Sequence, residues 1–90
     1  MNSATADSIR IIIAEYCRVQ PNRIVNHAKF RDLGADWLEL IELFMVIEDQ
    51  LPDLRTDKLV VEQIETVGDL LLALVDLSEH TAQRGRRSAA

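Results

Sequence analysis

Ninety residues with a formal net charge of −5 hold at most one domain, and an acidic surface of that kind repels nucleic acid and anionic membranes. Hydrophobic residues make up 48% of the chain and aromatic ones only 4%, so aliphatic side chains must build the core, a bias toward helices over sheets. The single cysteine, Cys17, excludes an intrachain disulfide and fits a reducing, cytoplasmic compartment.

The opening residues lack a basic start followed by an apolar stretch, so no signal peptide is expected, and residues 1–6 read as a flexible N-terminus. A first helix is predicted from about Asp7 to Arg18. Ile9, Ile12, Ile13, Tyr16 and Cys17 fall at i, i+3, i+4, i+7 and i+8, one helical face. Cys17 then reads as a buried, inert thiol. Pro21, in the polar stretch Gln20-Pro21-Asn22-Arg23, ends the helix.

A long connection follows from Val19 to Ala35. Ile24, Phe30 and Leu33 are its expected pins, with a short helical turn over Asn26–Phe30, and Gly34 permits a sharp turn into the next element. A second helix is predicted from Trp37 to Gln50, with Asp36 as N-cap and Glu39 three residues on. Both carboxylates suit the positive end of the helix dipole. Leu40, Leu43, Ile47 and Leu51 supply an inner stripe, and Pro52 closes the helix. Leu38, Ile41 and Met45 form a second apolar stripe at i, i+3 and i+7, more than one buried face requires.

From Asp53 to Glu65 the pattern is weaker. Thr56-Asp57 is a candidate cap for a short helix through Val61–Ile64. The last helix is expected over about 66–79, with Thr66 as N-cap, Asp69 three residues later, and Val67, Leu70, Leu71, Leu74, Leu77 and Ser78 on its inner face. The longest apolar run, Leu70 to Val75, falls far short of the roughly 20 residues that span a bilayer, so no stable membrane insertion is expected. Residues 81–90, with Arg84, Arg86 and Arg87, read as a disordered basic tail. The fold reading is all-α: a four-helix bundle over residues 7–80, of three main helices and one short one, with a long first loop.

Between Leu33 and Leu54 stand Asp36, Glu39, Glu42, Glu48, Asp49 and Asp53, and no basic residue. A charge run of this kind is usually a solvated face, with a docking face for lysine- or arginine-rich proteins as the alternative. A metal site is not expected, because the spacing lacks the alternating oxygen ligands and glycine of a calcium loop. His27 and His80 have no partner spacing. No Ser-His-Asp order, glycine-rich phosphate loop or zinc spacing is present, so an independent enzyme is not expected.

The stretch from Asn26 to Leu43 resembles the acyl carrier protein signature, in which a phenylalanine, then Asp-Leu-Gly-Ala-Asp-Ser-Leu, then an acidic amphipathic helix follow in order. Phe30, Asp32, Leu33, Gly34, Ala35, Asp36 and Leu38 match it. Glu42, Met45, Glu48 and Leu51 stand where that family has similar residues, and Glu65-Thr66-Val67-Gly68-Asp69 resembles the start of its last helix. The resemblance covers roughly residues 7–78. It implies a carrier domain of fatty-acid, polyketide or related acyl metabolism. Its partners would be basic surfaces of acyl-processing enzymes or of a carrier-modifying enzyme, met by Asp36, Leu38, Glu39, Ile41, Glu42, Met45, Glu48 and Asp49.

One position departs from that pattern. The family carries 4'-phosphopantetheine on a serine after this aspartate, and here the residue is Trp37. A serine hydroxyl attacks the pyrophosphate of coenzyme A, and a helix N-terminus stabilises the resulting phosphodiester. Indole offers only an N–H donor. No prosthetic group is therefore expected at position 37 as the chain stands, although a serine there would imply one. Three readings stay open for Trp37: a natural carrier fold retired from carrying, a genuine carrier whose serine was replaced by a single-base codon change, or a cargo held without a covalent arm. An unrelated helical adapter is the further alternative. Trp37 itself reads either as an exposed anchor for a partner or as a lid folded over the mouth of the bundle.

Overall fold

The computed structural model describes residues 2–56 and 58–77. Three helices carry the fold, α1 over Ser3–Cys17, α2 over Trp37–Gln50 and α3 over Val67–Ala73. Short 3-10 turns occupy Pro21–Arg23, Phe30–Leu33 and Lys58–Gln63, and a two-stranded antiparallel ribbon pairs β1, Leu54–Thr56, with β2, Leu74–Asp76.

Helix α1 begins four residues before the expected start. The Asn2 side chain accepts from the Thr5 N–H at 2.9 Å, so residues 3–6, expected as part of an N-terminal tail, form its first turn. It ends at Arg18, which takes a left-handed conformation at φ 58°. The N–H of Val19 then donates back to the Ala14 carbonyl at 3.0 Å, closing the last turn in place of the usual glycine. Ile9, Ile12, Ile13 and Ala14 are buried, while Tyr16 and Cys17 pack at the margin of the core.

Helix α2 has the predicted bounds. Its buried residues are Leu40, Leu43, Phe44 and Ile47, so Phe44 belongs to the inner stripe and Leu51 lies at its edge. Phe44 and Phe30 are the largest fully buried side chains. Ile24, Phe30 and Leu33 are all buried, as expected of pins. The helical turn expected over Asn26–Phe30 forms instead at Phe30–Leu33.

The backbone of this loop is sewn to the start of α3. Phe30 N–H donates to the Glu65 carbonyl at 2.9 Å, Val67 N–H to Ala28 at 3.0 Å, and Gly68 N–H to Asn26 at 2.9 Å. The close approach suits glycine at position 68, because a Cβ there would lie 3.1 Å from the Asn26 carbonyl oxygen and the loop would have to give by a few tenths of an ångström. Thr66 and Asp69 form a complete capping box: Thr66 Oγ1 accepts from Asp69 N–H at 3.1 Å, and Asp69 Oδ2 accepts from Thr66 N–H at 3.1 Å.

The last helix differs from expectation. It stops at Ala73, and the chain continues as β2, with Leu54 opposite Asp76 and Thr56 opposite Leu74. Leu54 and Leu74 both point into the core. The ribbon thus satisfies backbone groups of two segments while burying one leucine from each. Thr56, expected as a helix cap, is a strand residue, and the short helix after it is the 3-10 turn Lys58–Gln63. Leu77, expected inside, is exposed. Asp57, Ser78, His80 and the 81–90 tail lie outside the described residues. None of the described helices is long and apolar enough to cross a membrane.

Candidate functional site

The start of α2 is set by the turn before it. Leu33 anchors the 3-10 turn in the core, and Gly34 follows at φ 84°. That left-handed conformation suits glycine and strains other residues. Ala35 N–H then donates to the Phe30 carbonyl at 3.0 Å. The chain reaches Asp36 in extended form, and Asp36 Oδ1 accepts from Glu39 N–H at 2.9 Å. Trp37 is therefore the first helical residue, held at a helix N-terminus whose backbone is fixed from behind.

Trp37 is 53% exposed, Leu38 58% and Met45 60%. Ile41, between them along the helix, is half-buried against the core. The second apolar stripe expected on α2 is thus brought together on its outer side, with Trp37 at its N-terminal end. Beside the stripe, Trp37 borders a cleft of about 290 Å³ between the α2 start and the turn after β1. Phe30, Ala35, Leu40, Val61 and Ile64 form its apolar wall, and Lys29, Arg31, Glu62 and Glu65 its charged margin. Trp37 is at once exposed and one of the residues that line the cleft.

The carboxylates are less uniform than a solvated rim. Asp36 caps the helix. Glu42 Oε2 accepts from the Tyr16 hydroxyl at 2.8 Å, joining α2 to α1. Glu48 Oε1 accepts from the Thr56 N–H at 3.2 Å, joining α2 to β1. Glu39 is half-buried, and Asp49 is exposed. The hydrogen bond to Glu42, then burial, then the negative charges of Glu42 and Glu39 push the Tyr16 phenol up to about 12. Burial and the Glu39 charge likewise push the Cys17 thiol up. Cys17 is partly rather than fully buried, yet at neutral pH it stays the protonated, poorly nucleophilic form. His27 is exposed. Among the described residues no group of three or more His, Cys, Asp or Glu side chains is arranged to hold a metal ion.

The roles of Tyr16, Glu42 and Glu48 in joining elements were not visible in the sequence. Each pairing joins residues 8 or 26 positions apart, and helical spacing carries no signal at that range. The charged margin of the cleft was missed for the same reason. Position 37 itself presents an indole N–H and no hydroxyl. Ser3 lies in α1, as does Ser8, whose hydroxyl donates to the Ala4 carbonyl at 3.0 Å; Ser78 and Ser88 lie outside the described residues.

Residues 7–74 match the family described as the phosphopantetheine attachment site. The chain is 35% identical over 85 residues to an acyl carrier protein of Zymomonas mobilis, a match covering 89% of this chain and 99% of that protein. It is 36% identical over 73 residues to an acyl carrier protein of Wolinella succinogenes, covering 76% of this chain and 90% of that one.

Proposed function

This chain belongs to the phosphopantetheine-attachment-site family of the acyl carrier proteins, and on that premise we propose that it is a non-covalent member: a carrier-type domain that docks on partners through α2 but takes no phosphopantetheine at position 37. It is a carrier-type domain and not an enzyme. The observation that carries the proposal is Trp37 at the first position of α2, exposed and without a hydroxyl. The group would need an oxygen nucleophile there, and indole supplies none. The residues present do not fit the prosthetic group.

The side chains around position 37 support that docking role. Leu38, Ile41 and Met45 continue the apolar stripe, and Asp36, Glu39, Glu42, Glu48 and Asp49 line α2 beside it. A basic surface on an acyl-processing or carrier-modifying enzyme complements that arrangement in the cytoplasm. Aromatic residues that are half in water and half against apolar atoms are typical anchors of such contacts.

The test is incubation with coenzyme A and a phosphopantetheinyl transferase, followed by intact mass. The wild-type chain should keep its mass, and Trp37→Ser should gain the prosthetic group. Modification of the wild type would overturn the proposal. A Trp37→Ser variant that folds and stays unmodified would mean that the α2 face no longer guides a carrier-modifying enzyme.

A further inference from the structure

The outer face of α2 is unpartnered among the described residues, and just past its C-terminal end the Arg55 guanidinium donates to the Pro52 and Leu54 carbonyls and forms no ion pair with the acidic side chains there. Glu48 and Asp49 lie in the last turns, where backbone carbonyls add the negative end of the helix dipole, and no basic residue stands in the last turn. Asp53 follows three residues after Gln50. No described cation forms an ion pair with Asp49 or Asp53.

The described fold ends at this same place. Leu77 N–H donates to the Asp53 carbonyl at 2.8 Å, so the chain leaves the ribbon beside the C-terminal end of α2. The residues that follow, 78–90, carry Arg84, Arg86 and Arg87 against one acid, Glu79. Arg84 is seven residues beyond Leu77 and Arg87 ten, a span of about 23 to 33 Å for extended chain. Helix α2, with 14 residues, is about 21 Å long. That contour length is enough to cover the length of α2 from Asp49 to Trp37.

We propose that the segment Arg84–Arg87 occupies the outer face of α2 in cis, its guanidinium groups on the carboxylates, and so competes with a partner's basic surface. The inference rests on the reading of that face as the docking surface. Two features of the molecule select this occupant: opposite charge, and a tether of sufficient length that leaves the described fold beside the C-terminal end of α2. A guanidinium also stacks on an exposed indole, which Trp37 offers at the far end. A tether of this length holds the segment at an effective concentration on the order of millimolar. A weak contact is then enough to set the threshold a partner must exceed.

The experiment uses the full chain and a hexa-arginine peptide as the probe, titrated calorimetrically at low and high salt. The variant R84Q/R86Q/R87Q should bind the peptide about three- to tenfold more tightly than wild type at low salt. The gap should close near 1 M salt, where the screening length falls to about 3 Å. The variant R18Q/R23Q removes positive charge from outside residues 78–90 and should change binding by less than about twofold. Equal affinity of wild type and the tail variant overturns the inference and leaves the docking face standing. A gain per charge from R18Q/R23Q equal to that from the tail also overturns it, since the effect is then one of net charge. If the peptide binds neither wild type nor the tail variant, the docking-face reading fails and takes the inference with it.

Discussion

Helices α2 and α3 start in nearly the same way and are finished differently. Each opens on a polar cap in extended conformation, Asp36 or Thr66, whose side chain accepts from a backbone N–H three residues on. At α3 the cap is reciprocal, and Asp69 also accepts from the Glu65 N–H at 3.0 Å. Three backbone bonds from the first loop then cover it, and Val67, its first residue, is wholly buried. At α2 the first residue is a tryptophan half in water, bordered by a cleft. Equal local chemistry thus gives one sealed start and one open start. The sealed one ties the first loop to α3, and the open one leaves an indole half in water beside a cleft.

Phe30 belongs to both starts, because its N–H bonds to Glu65 and its ring lines the cleft beside Trp37. Phe30→Ala should therefore be the most damaging change, costing about 3–5 kcal/mol in denaturant unfolding. A loss below about 1 kcal/mol would show that the two starts are not joined through this ring.

Gly34 sets the approach to the open start. A Cβ there meets nothing within 4 Å, so the cost of Gly34→Ala is the left-handed backbone alone, about 1–2 kcal/mol. An unchanged unfolding midpoint would mean that the turn relaxes freely.

At the sealed start, Thr66→Ala should cost about 1 kcal/mol. The pH dependence sharpens this prediction. Hydrogen bonds from the Glu65 and Thr66 N–H groups hold the Asp69 carboxyl below its ordinary value of 3.8. A depressed folded value means stability that is present above the unfolded value and lost as pH falls through the folded one. Wild type should thus exceed Asp69→Asn in melting temperature at pH 7, with the difference shrinking below about pH 4. A difference that is constant from pH 7 to pH 3 would remove the charge from the explanation.

Trp37→Ala should be the mildest for stability, within about 0.5 kcal/mol, as for an exposed site, and yet the largest for docking. Loss of an anchor of this type costs about 2 kcal/mol or more of binding. Asp49→Asn is the better test of the rim than a change at Glu48, which bonds to the Thr56 N–H and belongs to the fold. It should blunt the salt dependence of binding with little effect on unfolding. A Trp37→Ala protein that unfolds early and binds normally would reverse the assignment of open and sealed.

Much of this architecture is legible in the residues. The bounds of α2, the caps Asp36 and Thr66, the pins Ile24, Phe30 and Leu33, and the exposed Leu38 and Met45 all follow from periodicity and local cap chemistry. Phe44 did not emerge, because a stripe drawn through Leu40, Leu43, Ile47 and Leu51 skips the i+4 neighbour of Leu40. The end of α3 departs from the periodicity for a different reason. The run Leu70 to Val75 satisfies helix and strand alike, and the choice is made by pairing with Leu54–Thr56, some twenty residues upstream. The ties Tyr16–Glu42 and Glu48–Thr56 are likewise long-range, so carboxylates that read as one rim divide into structural and free members.

The stitching of the first loop to α3 also governs how the molecule breathes. With seven residues, α3 is too short to persist as an isolated helix in water. It lasts only while Phe30, Val67 and Gly68 keep their bonds to Glu65, Ala28 and Asn26. Those three amides, drawn from segments more than thirty residues apart, should exchange with deuterium at a common rate, as one cooperative unit. The interior amides of α1 and α2 belong to longer helices and should outlast them, so the loop and α3 open first and together.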